Sequence, residues 1–195
     1  TAHLKAWAKP CPPFVDVGGN VKDILPGDPV VFAPNAKWLS DNLIASKALD
    51  DRIGCAILVE LARLLADKKP EATIYLVGCV QEEVKTRGAS YLAQTLAPRY
   101  SIVIDPLYGA DPTLPDFKTW PIGNGPVIRR FEQSHAAWTI GYFSRTITRA
   151  LGRAGEELGV PFGYDVAETF TDSSGILGVR PALEACSINI ARRYS

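Results

Sequence analysis

Residues 76–88 read LVGCVQEEVKTRG. Leu76 to Val80 are apolar, as in a strand buried on both faces, and Gln81, Glu82 and Glu83 follow without a spacer. Two adjacent carboxylates at the end of a buried strand repel each other and are costly to desolvate. Cations would offset that cost, and a pair of divalent metal ions is the reading taken forward.

Upstream, Ile57, Leu58, Leu61, Leu64 and Leu65 fall at helical spacing, with Asp51 near the helix start and Pro70 beyond its end. The run Ile74–Val80 then predicts a strand. Downstream, RGASYLAQTLAP (87–98) predicts a short helix closed by Pro98, SIVID (101–105) a buried strand ending on Asp105, and GPVIRR (125–130) a further strand. Ile140, Phe143, Ile147, Leu151, Ala154 and Leu158 step by three or four, which predicts one long helix stopped by Gly159 and Pro161. PFGYDVA, TDSSGILG and LEACSINIA complete the alternation.

Such alternation predicts an α/β fold with a sheet largely parallel in its centre. Ligands of these sheets bind beyond the carboxyl ends of the strands. Glu82, Glu83 and Asp105 fall at those ends, while Asp50 and Asp51 stand where a loop enters a helix. Arg52 and Arg87 are near in sequence and are the candidate neutralising cations.

The chain has 195 residues, 47% of them hydrophobic, enough to bury a core. Basic and acidic residues balance at 21 each, which argues against a nucleic-acid partner held by a broad basic face. Residues 1–45 are rich in Pro and Gly, with β-like runs PFVDVGG and VVFAP, and read as a partial β-rich module. Composition shifts near Ser46, so 46–195 read as an incomplete α/β catalytic domain.

Four cysteines lie far apart with no CxxC, so a disulfide framework is not expected and a reducing cytoplasm is. Cys55 and Cys79 read as small core residues. No apolar run is long enough to cross a bilayer, and no membrane partner is expected. The chain has no methionine, and SINIARRYS runs from a strand-like stretch straight to the last residue, so a piece of a longer protein is expected.

A single acidic residue after a strand is explained by helix capping. LDDR (49–52), VQEE (80–83) and VID (103–105) together place five carboxylates around one sheet edge, which is destabilising without cations. In a two-metal site one carboxylate bridges the ions, others bind each singly, and a free Glu serves the attacking water as base. Amide hydrolysis suits that equipment. A serine hydrolase is disfavoured because no GxSxG occurs. A carboxylate-based glycosidase remains a rival, and GNGPVI (123–128) has the wrong glycine spacing for a dinucleotide or phosphate loop.

SKALDDRIGCAILVELARLL (46–65), VQEEVKTRGA (80–89), IDP (104–106), GNGPVI and the late Thr171-Asp172 resemble, in order, the cytosolic di-metal aminopeptidases, a family that includes glutamyl aminopeptidases and large tetrahedral assemblies. ALDDR and VQEEV are the specific part. The resemblance implies a three-layer zinc-peptidase-like fold with helices on both faces of the sheet. It also implies that residues 1–45 are part of a small β-barrel dimerisation module. The implied activity is removal of N-terminal residues from short peptides by a homo-oligomer, using two divalent ions, zinc by default and cobalt or manganese as alternatives.

Carried over residue by residue, Asp50 resembles the bridging ligand and Asp51 its partner outside the ligand set; the bond between such aspartates is often cis in the family. Glu82 resembles the general base. Glu83 and Asp105 resemble ligands of one ion each, and Thr171 and Asp172 match residues near the substrate pocket. The family also uses two histidines, at positions that fall before and just after this sequence. His3 and His135 are not expected to replace them. ETFTDSS (168–174) stands where the family carries a glycine-rich stretch. An aminopeptidase-like scaffold that no longer turns over is the non-enzymatic alternative.

Overall fold

The computed structural model describes residues 19, 23–25, 28–110, 120–135 and 138–194. A hairpin opens the described chain: β1 (Ala36–Ser40) pairs antiparallel with β2 (Leu43–Ser46). Of the β-like runs expected before it, PFVDVGG lies largely outside the described residues. Val30, Val31 and Phe32 of VVFAP are exposed and belong to no strand, since β1 already takes β2 as its partner.

Helix α1 (Leu49–Leu65) and helix α2 (Arg87–Leu96) match the expected spans. Strand β3 (Tyr100–Tyr108) runs past Asp105 by three residues, so that carboxylate sits within the strand and not at its end. Next come β4 (Val127–Ser134) and β5 (Thr139–Tyr142). The expected long helix is shorter than its periodicity suggested. Ile140 lies in β5, whose residues are mostly β-branched or aromatic, and α3 (Arg145–Leu158) starts only where Ser144 accepts a hydrogen bond from the Ile147 N–H. Gly159, in the left-handed region, ends α3 as its sequence required. Strand β6 (Gly163–Glu168), helix α4 (Asp172–Val179) and strand β7 (Glu184–Arg192) complete the order.

The main sheet is mixed. β3 and β7 are parallel, β4 and β6 are parallel, and the two pairs meet antiparallel where Val127–Arg129 face Ser187–Asn189. The parallel centre expected from the alternation is therefore replaced by an antiparallel seam, and β5 adds a second antiparallel pairing to β4. Adjacent strand residues point to opposite faces. Ala185 packs with Ala89, Ala93 and Ile176 of α2 and α4, whereas Cys186 packs with Phe143 and Ile147 at α3, so helices cover both faces. No helix among the described residues is long and apolar enough to cross a membrane.

Two expectations fail in and around residues 74–80. Ile74–Val80 joins no ladder, and Ile74, Tyr75, Leu76 and Val80 are exposed, since β3 pairs with β7 alone among the described strands. Cys79 and Cys55 are likewise exposed rather than core residues. Only Gly54 of α1 is fully buried; Ile53, Ile57, Leu58, Leu61 and Leu65 are half-buried, and Val59 and Leu64 are exposed.

Candidate active site

The acidic residues are set by three turns and one strand. The Asp50–Asp51 peptide is cis, as the resemblance implies, and neither residue has helical dihedrals, so regular helix begins after Asp51. The Asp51 carboxylate accepts from the Gly54 N–H at 2.9 Å, which makes it the working cap of α1. A Cβ on Gly54 would come within 2.7 Å of the Asp51 Cγ and Oδ1.

Gln81, Lys85 and Thr86 adopt left-handed dihedrals that fold the Glu82-Glu83 turn back on itself. Its closing bonds run from Thr86 N–H to the Glu82 carbonyl (2.9 Å) and from Gly88 N–H to the Val80 carbonyl (3.1 Å). A side chain at position 88 would strike the Val80 nitrogen at 2.8 Å, which is why glycine stands there. Buried Thr86 in turn meets Gly175 of α4, closing the gap between this turn and the Thr171-Asp172 corner.

These turns bring the carboxylates into one electrostatic field. Burial pushes Glu82 up to about 8, with Asp172, Glu83, Asp50 and Glu132 adding repulsion. Burial also lifts Asp105 to about 9, reinforced by Glu82, Asp50 and Asp51 and opposed by Arg129. Asp51 rises to about 6, chiefly through burial; the Gly54 hydrogen bond and Arg192 hold it down while Asp50 and Asp172 push it up. Burial raises Asp172 as well, and the Cys79 thiol donates to it. One Asp172 oxygen, Oδ1, is buried with no hydrogen-bond partner.

Arg52 and Arg87 are exposed, and the cation on Asp50 comes instead from the far end of the chain. Arg192 Nη2 lies 2.7 Å from Asp50 Oδ2. Reach explains the difference: β7 runs parallel to β3 and ends with Arg192 opposite Tyr108, beside the start of α1.

Beneath the acidic cluster lies a network that the sequence reading missed. Glu132 is fully buried, and its Oε1 accepts from the Thr171 N–H (2.9 Å), the Thr171 hydroxyl (3.0 Å) and the Ser174 hydroxyl (2.5 Å). Arg129, also buried, reaches Glu132 Oε2 at 3.5 Å and grips Asp165 through Nε and Nη2. Thr171 is the cap of α4, accepting from the Ser173 N–H, and Asp172 is the first residue of that helix.

Asp50, Asp51, Glu82, Glu83, Asp105 and Asp172 are thus neighbours, while Thr171 is enclosed by Glu132 and Ser173. His135 lies apart, exposed at the ends of β4 and β6 with Glu168 3.3 Å away; His3 lies outside the described residues. The donor chemistry, a set of hard carboxylate oxygens crowded together, fits a divalent cation. The coordination is incomplete: among the described residues no three Asp, Glu, His or Cys side chains converge closely enough to hold an ion.

Gly54→Ala tests the cap. Alanine gains about 1 kcal/mol in helix propensity and costs about 0.5–2 kcal/mol of capping by displacing Asp51. Thermal unfolding should therefore shift little. A loss well above about 2 kcal/mol would mean that Asp51 contributes more to the fold than a helix cap.

Residues 14–195 match the sequence model of the family described as M42 glutamyl aminopeptidase. The Escherichia coli protein SgcX is 28% identical over 93% of this chain and 51% of its own length. Among solved structures, an aminopeptidase from Desulfurococcus kamchatkensis superposes with a TM-score of 0.76 at 29% identity, covering 84% of this chain and 45% of its own. The TET1 peptidase of Pyrococcus horikoshii, which can assemble into a tetrahedron or a large octahedral shell, gives 0.68 at 27% identity, with coverages of 84% and 46%. The chain spans about half the length of the curated relatives it matches.

Proposed function

Because the chain belongs to the M42 glutamyl aminopeptidase family, we propose that it carries the acidic part of a metal-dependent aminopeptidase site that releases N-terminal residues from short peptides. The observation behind this reading is the shared field of Asp50, Asp51, Glu82, Glu83, Asp105 and Asp172. Asp50, Glu83 and Asp105 would hold the ions, with zinc the default and cobalt or manganese suited to the same oxygens. When bound, the ions would polarise the scissile carbonyl and make water more acidic.

Glu82 is the proton carrier in this reading. Burial and neighbouring carboxylates raise its proton affinity, so in its ionised form it would take a proton from the attacking water and hand it to the leaving amine. Asp51 is fixed by Gly54 and orients Asp50 through the shared peptide. Asp172 offers the substrate pocket a buried, unpartnered oxygen, and Thr171 acts by holding Asp172 in place. Residues 1–45 are assigned to the dimerisation module of a homo-oligomeric enzyme, and a cytoplasmic location goes with it. The incomplete coordination favours a second reading, in which this chain is a scaffold without turnover.

Protonation supplies the test. Asp51, Glu82 and Asp105 hold their protons more tightly folded, near 6, 8 and 9, than free at 3.8, 4.5 and 3.8. The unfolded chain therefore sheds these protons first, and metal-free stability should fall as pH rises from the free values and level off only above the folded ones. Zinc should restore the loss, raising Tm more at alkaline than at acid pH and enabling hydrolysis of an aminoacyl amide. A Tm that rises with pH without metal would refute the clustered, cation-seeking site. Bound zinc without hydrolysis would select the scaffold.

A further inference from the structure

We propose that Arg192 is a resident counter-cation that competes with divalent ions for Asp50, so that loading the site requires its guanidinium to let go. Arg192 is held from two sides. Its guanidinium lies over the Tyr108 ring, 4.9 Å from the centroid, and its Nη2 reaches Asp50 Oδ2 at 2.7 Å. The remaining donors, Nε and Nη1, are buried without hydrogen-bond partners, so the group is kept there by Asp50 and the ring.

The arrangement is costly on its own terms. A guanidinium that leaves two of its nitrogens unsatisfied forgoes hydrogen bonds it would make in water. What it gains is charge, through its pairing with Asp50. Arg129 is buried and clamped between Asp165 and Glu132, whereas the Arg192 side chain keeps 14% of its surface exposed. Arg192 is the cation of the two that has somewhere to go. A divalent ion at Asp50 would face the guanidinium charge at contact distance, and one of the two must yield.

This inference rests on the reading of Asp50 as a metal ligand, and the experiment separates the two. Zinc affinity is measured by calorimetry for the parent chain, Arg192→Gln and Asp50→Asn. Arg192→Gln should bind zinc about tenfold more tightly, as the loss of a nearby positive charge requires, and should unfold at lower temperature without metal. Unchanged or weaker binding by Arg192→Gln overturns the competition even if Asp50→Asn abolishes binding. Full binding by Asp50→Asn overturns the ligand reading and the competition with it. Should Arg192→Gln fail to fold, the arginine Nε–H signals of the parent chain decide the matter. The Arg192 signal, assigned with Arg192→Lys, should move on zinc addition, and a stationary signal overturns the proposal.

Discussion

Glu82→Gln is expected to lower hydrolysis of an aminoacyl amide about a hundred- to ten-thousandfold, the range for a lost general base, while leaving zinc-dependent stabilisation in place. Glutamine keeps the shape of the side chain and cannot carry a proton. Its neutrality also relieves a neighbour: Glu82 is the first of the charges that push Asp105 upward. The metal-free variant should accordingly unfold at a higher urea concentration than its parent at alkaline pH. Turnover equal to the parent's would place the base elsewhere, and a loss of zinc binding would make Glu82 a ligand.

Glu132→Ala should be the most damaging change to stability, costing about 3–5 kcal/mol as expected for the loss of one partner from a buried charged network. Three donors, the Thr171 N–H and the Thr171 and Ser174 hydroxyls, lose their acceptor at once. Glu132→Gln should cost less. It retains an acceptor for those groups, and Arg129 keeps its two-point grip on Asp165. Urea unfolding of the two variants checks the order. Equal losses would mean that charge rather than hydrogen bonding sets the value of the network.

The site was legible where neighbours in space are also neighbours in sequence. Asp50-Asp51, Glu82-Glu83 and Thr171-Asp172 are local pairs, and their turns carry local signals such as Gly54 and Gly88. Arg192 was not legible, because its partner follows from the parallel register of β3 and β7 and not from proximity in the chain. Arg129 and Glu132 were hidden by a register shift. In a regular strand residues three apart face opposite ways, but the β4–β6 ladder skips a position between Arg129 and Phe131 and brings the two side chains together.

The helix expected from Ile140 shows the same limit, since a three-to-four spacing of apolar residues can span a strand and the helix after it. The strand expected at Ile74–Val80 shows another: composition reports a wish for burial, and a ladder needs a partner.

The pairing of Asp50 with Arg192 joins positions 142 residues apart. The acidic residues belong to α1, the Glu82-Glu83 turn, β3 and α4, whereas the cation on Asp50 arrives with β7. The last strand of the sheet thus supplies a counter-charge that none of the acid-bearing elements brings to Asp50.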